Sequence, residues 1–521
     1  MPTRPLLILP TPERIAPPKG TGGGGGLRFP TKQRQIATFG PAFERLRQSL
    51  QRPAGALQLR DDPNSLSPDR VIVFEIGGTV PDFFKAAARI QGLELIAEYE
   101  ADFPPDEHFA VIDKRKGKVG EDRPDKLVKS RFYLTMPDAE ALRQLLSLWD
   151  RWERNLPFDT GLAPFAHLFE QLHALRPWGP LDRIPDETVQ FWLEESARNP
   201  GRPVRTEVEL WFYPQPDRRR QVSTKFSSLI TSIGGTLVHE VVIPEIAYHG
   251  ALVDIPAREI PGLTERRSDI ALVLADDVMF VRPQSLLTSP SDTEPTEDTS
   301  LPGRSAAPAV EAPIAALLDG VPVQAHALLT NRLLLDDPDD LQSRAIVSRR
   351  VHGTAMASLI LHGDLNAQEP PLGRPLYTRP LMLAPQDGSE QTEDDRLLID
   401  TIYRAVLRIK GSEGEVAAAP SVFLINLSMG DVRRPFTRMV SPLARLIDFL
   451  SERYGVLFLV SAGNVSAPLT IPDFANWAAF ENASSDVREK AVLTALNAAK
   501  YERSILSPAD PQRTDNRRTA P

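Results

Sequence analysis

Apolar and polar positions change period several times along the 521 residues. Between about residues 70 and 156 a two-residue alternation gives way to helical spacing and returns. Arg70 to Ile76 predicts a strand, Pro81 to Ile90 a helix, Leu93 to Glu100 a strand, Arg131 to Met136 another strand, and Asp138 to Arg154 a helix. The Pro137-Asp138 junction, with acidic residues in the first turn, suits the start of that last helix. The charged stretch Lys114 to Lys129 reads as a loop. A similar order recurs from about 204 to 283. Thr206 to Tyr213 predicts a strand and Arg219 to Ile233 a helix stopped by Gly234-Gly235. Strands follow at Thr236 to Ile243, Ala251 to Ile255 and Ile270 to Val281.

Strand–helix–strand repeated in this way predicts two α+β units of the split, ferredoxin-like kind, over 66–160 and 161–283. Residues 1–65 read as irregular apart from a short helical pattern in Phe43 to Leu50. Gln284 to Pro313 is rich in Pro, Ser, Thr and acid and predicts a linker over 284–312. Beyond it the pattern becomes the strand–loop–helix alternation of a doubly wound α/β domain over 313–510. Its strands are Ile314 to Leu318, Ser421 to Leu427 and Val456 to Ser461. Its helices are His352 to Leu361, Glu393 to Lys410 and Arg438 to Tyr454, the last stopped by Gly455. Near-continuous apolar runs such as Val422 to Ile425 imply strands buried on both faces, as in a parallel sheet.

Composition narrows the function more than the fold. A net charge of −9 and no long Lys/Arg block argue against a nucleic-acid surface. Cysteine is absent, which excludes disulfides, zinc–thiolate sites and a Cys nucleophile. No run of 18 apolar residues occurs, and Leu6 to Leu9 is too short for a signal segment, so a cytoplasmic protein without a membrane partner is the expectation. The five glycines Gly22 to Gly26 lack the Lys-Ser/Thr of a phosphate loop and predict a flexible linker. Nothing in the sequence asks for a cofactor or a metal.

Three short segments carry candidate chemistry. Asp319 closes an apolar strand, at the sheet edge where open α/β folds place their ligands. His352 opens a helix rich in small residues. An imidazole is the natural base for a hydroxyl nucleophile near neutral pH, and a carboxylate on its far nitrogen would hold it in one tautomer. Asn464, in the turn Ser461-Ala462-Gly463-Asn464, would project an amide donor suited to an oxyanion. Singly, each has a plainer alternative as a turn former or a helix-start residue. Ser428-Met429-Gly430 is either a strand-end turn or backbone that pairs with an extended peptide.

Leu318-Asp319-Gly320, His352-Gly353-Thr354, Asn426-Leu427-Ser428-Met429-Gly430 and Ser461-Ala462-Gly463-Asn464 together resemble the subtilisin-like (S8) serine peptidases, in that family's order. The resemblance covers about 313 to 508. It implies a three-layer α/β fold around a parallel sheet, incomplete here and preceded by the ferredoxin-like units, of which the second resembles an inhibitory pro-segment. It also implies peptide-bond hydrolysis of a polypeptide substrate through an acyl-enzyme. Asp319 and His352 would be triad members, Asn464 the oxyanion donor, and Ser428, Met429, Gly430, Ala462 and Gly463 the lining of the substrate cleft. Two features depart from the family. Gly320 follows Asp319 directly, where Ser or Thr is usual, and Ala355 replaces a second His.

No Gly-Thr-Ser nucleophile box follows Asn464, so this chain is expected to be inactive. Residues 511–521 lose all apolar pattern and predict a disordered or out-of-frame tail. Codons chosen for them and read one nucleotide later can spell Arg-Asn-Ala-Leu-Thr-Ile-Gly-Ala-Leu-His, a strand of the kind expected next, so a frameshifted gene is one expectation. An inactive peptide- or partner-binding module that keeps the cleft is the alternative. Substrate preference, calcium dependence and oligomeric state are not legible.

Overall fold

The computed structural model describes residues 24–50, 71–114, 121–267, 270–288, 311–365, 370–383, 390–412, 414–431, 440–461, 471, 474, 476–492 and 494–495. They fall into two compact units, divided between Asp182 and Arg183.

In chain order the first unit contains β1 (Gly24–Arg28), α1 (Lys32–Ser49), β2 (Ile72–Gly77), α2 (Phe83–Ala87), β3 (Leu93–Phe103), β4 (Ala110–Lys114), β5 (Glu121–Asp122), β6 (Val128–Pro137), α3 (Ala139–Glu153), α4 (Pro164–Gln171) and β7 (Leu172–Pro177). Its main sheet runs β3-β6-β2-β7 and is antiparallel throughout, while β1, β4 and β5 form a smaller sheet. Ile72, Phe74 and Ile76 alternate onto one face of β2 and join the core with Phe43, Trp149 and Phe169 from the helices. Phe43 stacks on Trp149 at 4.1 Å and meets Phe169 edge-on at 5.7 Å.

Two expectations change here. Gly24 to Gly26 pair in register with Lys114 to Ile112 as a strand rather than serving as a linker. The helix expected only from Phe43 starts at Lys32, capped by the Thr31 hydroxyl, because Phe39, Phe43 and Leu46 at 4–3 spacing bury one face against the core. In addition, β7 pairs with β2, so residues 172–177 belong with the first sheet rather than with the unit expected from 161.

The second unit begins with α5 (Pro180–Arg183, spanning the division), α6 (Asp186–Arg198), β8 (Val204–Leu210), α7 (Pro216–Ser232), β9 (Thr236–Ile243), β10 (Tyr248–Ile255), α8 (Ile260–Thr264), α9 (Ala271–Leu274) and β11 (Val278–Pro283). The last four-stranded sheet has the order β11-β8-β10-β9, again antiparallel. Ile270 to Val281 is not one strand: a helical turn, α9, precedes β11.

The chain continues through β12 (Ala315–Gly320), β13 (Leu333–Leu335), α10 (Leu341–Arg344), α11 (His352–His362), β14 (Leu376–Leu383), β15 (Gln391–Thr392), α12 (Leu398–Lys410), β16 (Leu424–Leu427), α13 (Pro442–Tyr454), β17 (Leu457–Val460) and α14 (Trp477–Glu481). The strands β13-β14-β12-β16-β17 pair parallel in that order, and β15 adds antiparallel to the end of β14. The protein is thus a mixed α/β molecule with a six-stranded, mainly parallel sheet and separate antiparallel sheets.

A parallel sheet must be covered on both faces, and β12 shows how this is met. Leu317 points to one side, packing with Ala357 and Leu361 of α11. Ala316 and Leu318 point to the other, joining Ile402, Val406, Leu446 and Leu450 of α12 and α13. Ile243, Tyr248 and Leu252 of the β9–β10 sheet enter that same cluster, so the antiparallel sheet lies on the outer side of these helices. Polar contacts reinforce the seam: Arg445 on α13 reaches Glu209 of β8 at 2.5 Å and the Ile246 carbonyl at 3.1 Å.

Gln284 to Thr288, expected to open the linker, are instead docked. Gln284 donates to the carbonyls of Asp394 and Arg396 at 3.0 and 3.2 Å, and Leu286 and Leu287 are buried. The remainder of the expected linker, 289–310, lies outside the described residues. Among the described residues no helix is long and apolar enough to cross a membrane.

Candidate functional site

The site is built at the carboxyl end of β12, where Asp319 is followed by a register shift against β14. Asp319 is 1% exposed, and its Oδ1 accepts from the Gly320 backbone N–H at 2.6 Å. His352, the first residue of α11, places Nδ1 2.7 Å from the same oxygen. With Nδ1 carrying the proton, the ring donates to the carboxylate and turns Nε2 outward as a base. The close approach of α11 to β12 depends on Gly353. A Cβ there would sit 2.2 Å from the Gly320 carbonyl oxygen. Thr354 fastens the helix start further, accepting from the Val323 N–H at 2.9 Å and donating to the Arg350 carbonyl.

Burial alone would lower the His352 pKa, but the hydrogen bond to Asp319 and its negative charge raise it above the ordinary value. The imidazolium is therefore favoured beside this carboxylate, as the base of a proton transfer requires.

A third ionisable group, not anticipated from sequence, lies behind the pair. Glu390 is 5% exposed, and its Oε1 accepts from the Val351 N–H at 2.9 Å. Burial, with the Asp319 charge adding to it, pushes its carboxyl up to about 6. A Cβ on Gly320 would lie 2.2 Å from Glu390 Oε2, so this carboxyl fills the space a side chain at 320 would take. Asp319, His352 and Glu390 each offer one polar atom within 4.8 Å of the others. Nδ1 and Oδ1 are joined to each other, so Asp319 and His352 form a hydrogen-bonded pair with the Glu390 carboxyl beside it.

The rim of the site is made of extended backbone. Met429 is buried in the core, and the Ser428 hydroxyl turns back to Asn426 Oδ1 at 2.6 Å. Gly430 stays open for pairing and is met, antiparallel, by Thr288, whose N–H donates to the Gly430 carbonyl at 3.4 Å. On its other side Thr288 bridges to Gln391. Leu287 and Thr392 add two further bonds, at 3.0 and 3.2 Å, and Ser285 donates to Asp431. Residues 284–288 thus run between β15 and the Ser428–Gly430 edge, bridged to both at Thr288. The last described residue of the fourth motif, Ser461, donates its N–H to the Leu427 carbonyl at 3.1 Å, while Ala462, Gly463 and Asn464 lie outside the described residues.

A second hydroxyl–imidazole–carboxylate group occurs where α7 meets β9 and β10. Ser223 Oγ and His249 Nε2 approach the same Glu240 oxygen at 2.6 and 2.7 Å. Ser223 Oγ also lies 3.4 Å from His249 Nε2, so hydroxyl and carboxylate meet the same ring nitrogen and the imidazole does not relay between them.

Comparison of the sequence with known protein families and with curated proteins finds no match.

Proposed function

We propose that this chain carries the acid–base half of a subtilisin-type serine endopeptidase, with Asp319 orienting His352 and His352 acting as the base, and with the nucleophile Ser missing from the chain. The observation that supports it most is the 2.7 Å Asp319–His352 bond at the carboxyl end of a parallel strand, beside an edge that already holds an extended segment. In this reading residues 284–288 fill the substrate cleft in the manner of a peptide, and the sheet of β8 to β11 is the pro-segment that delivers them. The parallel sheet with its covering helices is then the subtilisin-like fold, and Asn464 supplies the oxyanion donor.

A second reading is favoured by the filled edge together with the lack of a Gly-Thr-Ser box: a non-catalytic module that binds extended peptides. A fluorophosphonate probe should leave this chain unlabelled. Labelling of a form in which another frame of the gene restores a Gly-Thr-Ser box, abolished by His352→Ala, supports the peptidase. If no frame restores the box, the peptidase reading fails and the binding module stands.

A further inference from the structure

Two buried carboxylate oxygens in this site have no hydrogen-bond partner, and they belong to neighbouring groups. Asp319 Oδ1 is used twice, by Gly320 and His352, whereas Oδ2 has no partner. Glu390 Oε1 is used by Val351, whereas Oε2 has none. Two ionised carboxylates in a site this dry would repel one another and leave both oxygens desolvated without compensation. One proton resolves both problems, because a carboxylic acid has a donor that a carboxylate lacks.

We propose that Glu390 is a positioning residue whose carboxylic acid donates a hydrogen bond to Oδ2 of Asp319, extending the pair into a Glu390–Asp319–His352 chain. The proton sits on Glu390 Oε2, so Asp319 accepts on both oxygens and its carboxylate plane is held for His352. This also accounts for Gly320, which stands where the resembled family has Ser or Thr. A side chain at 320 would displace the Glu390 carboxyl, so the acid takes over the space next to Asp319. The titratable groups that face Glu390 are Asp319, from β12, and His352, from α11; the N–H groups of Val351 and Gly353 complete its surroundings. Both N–H groups and the His352 charge favour the ionised form and are outweighed by burial and the Asp319 charge, which agrees with a proton retained below a pH of about 6.

The inference takes Asp319–His352 as a proton-handling pair, which rests on the function proposed above, but its test reads protonation and not peptide hydrolysis, so either can fail alone. The full chain, labelled with ¹³C and ¹⁵N at histidine and with His352 assigned by the loss of its signals in His352→Asn, is titrated as wild type, Glu390→Gln and Glu390→Leu. Expected for the wild type are a downfield Nδ1 proton on His352 and a lower inflection in the His352 signals in the mildly acidic range. Glu390→Gln, whose amide still donates to Oδ2, should keep the downfield proton and lose the lower inflection. Glu390→Leu should lose both. Difference infrared spectra of wild type minus Glu390→Gln at pH 5.5 should show a protonated carboxyl band, a readout that does not depend on the folding of Glu390→Leu. Absence of that band, or a wild-type titration unchanged in Glu390→Gln, overturns the proposal.

Discussion

Gly320 and Gly353 set how closely three functional groups can meet, and each has a different neighbour to fear. At 320 the obstacle is the Glu390 carboxyl, and at 353 it is the Gly320 backbone, which cannot step aside. Gly320→Ser should therefore cost about 1–3 kcal/mol in urea unfolding, the usual penalty for overpacking, and Glu390→Ala in the same chain should recover much of it. Gly353→Ala has no such rescue. The pH response of the site has a definite sign. Glu390 binds its proton more tightly folded than unfolded, so its contribution is complete below 4.5 and lost as pH rises through about 6, a change of about 2 kcal/mol. His352 is also raised, so its contribution is present below 6.5 and lost at higher pH. Unfolding free energy should accordingly fall as pH rises across the mildly acidic range, and Glu390→Gln should flatten the lower part of that fall. Asp319 and His352 were legible because each sits at the boundary of a periodic element. Glu390 was not, because it stands among polar residues and only the tertiary fold brings it to Asp319.

At the scale of elements, the readable parts were those whose burial produces a clean period. Thr236–Ile243 was placed with its exact ends, and α12 and α13 were found with starts that differ by a few residues. β14 was missed because Arg379 and Pro380 interrupt its apolar run. The structure accommodates both: Arg379 reaches Asp339 at 2.6 Å, and Pro380 lies opposite Asp319 at the register shift. α1 was shortened because Gly40-Pro41 reads as a break, yet the helix runs through it. The docked segment after β11 was hidden by a composition that mimics a linker. Leu287 is its apolar anchor, and Leu287→Ala should cost roughly 2–5 kcal/mol locally and speed exchange of the Thr288 amide, measured by hydrogen exchange. The β9–β10 sheet carries the opposite pH sign to the site. Hydrogen bonding to His249 holds the Glu240 carboxyl below its usual range, so that contribution is present above the ordinary glutamate value and lost in acid. Glu240→Gln should reduce the acid sensitivity of this sheet, read from thermal melts at pH 3 and 5.

For the molecule as a whole, β17 is the edge of the parallel sheet among the described residues. Leu457, Leu459 and Val460 are 57%, 49% and 43% exposed on a strand that, among the described residues, pairs only with β16. Such an edge is a template for strand addition, so the chain should self-associate, and Leu459→Lys should lower the scattering mass at a given concentration. One face of the parallel sheet is closed by the core that β9, β10, α12 and α13 share, which makes the antiparallel sheet part of the same folding unit as the parallel one. That sheet leads directly into the segment lying on the Gly430 edge, and residues 289–310 tie the segment to β12 through the chain itself. Occupancy of the edge is consequently a matter of effective concentration. A tethered segment is present at about millimolar levels however dilute the protein, so a free peptide of equal affinity gains the edge only above that level. One cut in the tether would turn a fixed local concentration into one that dilution can lower.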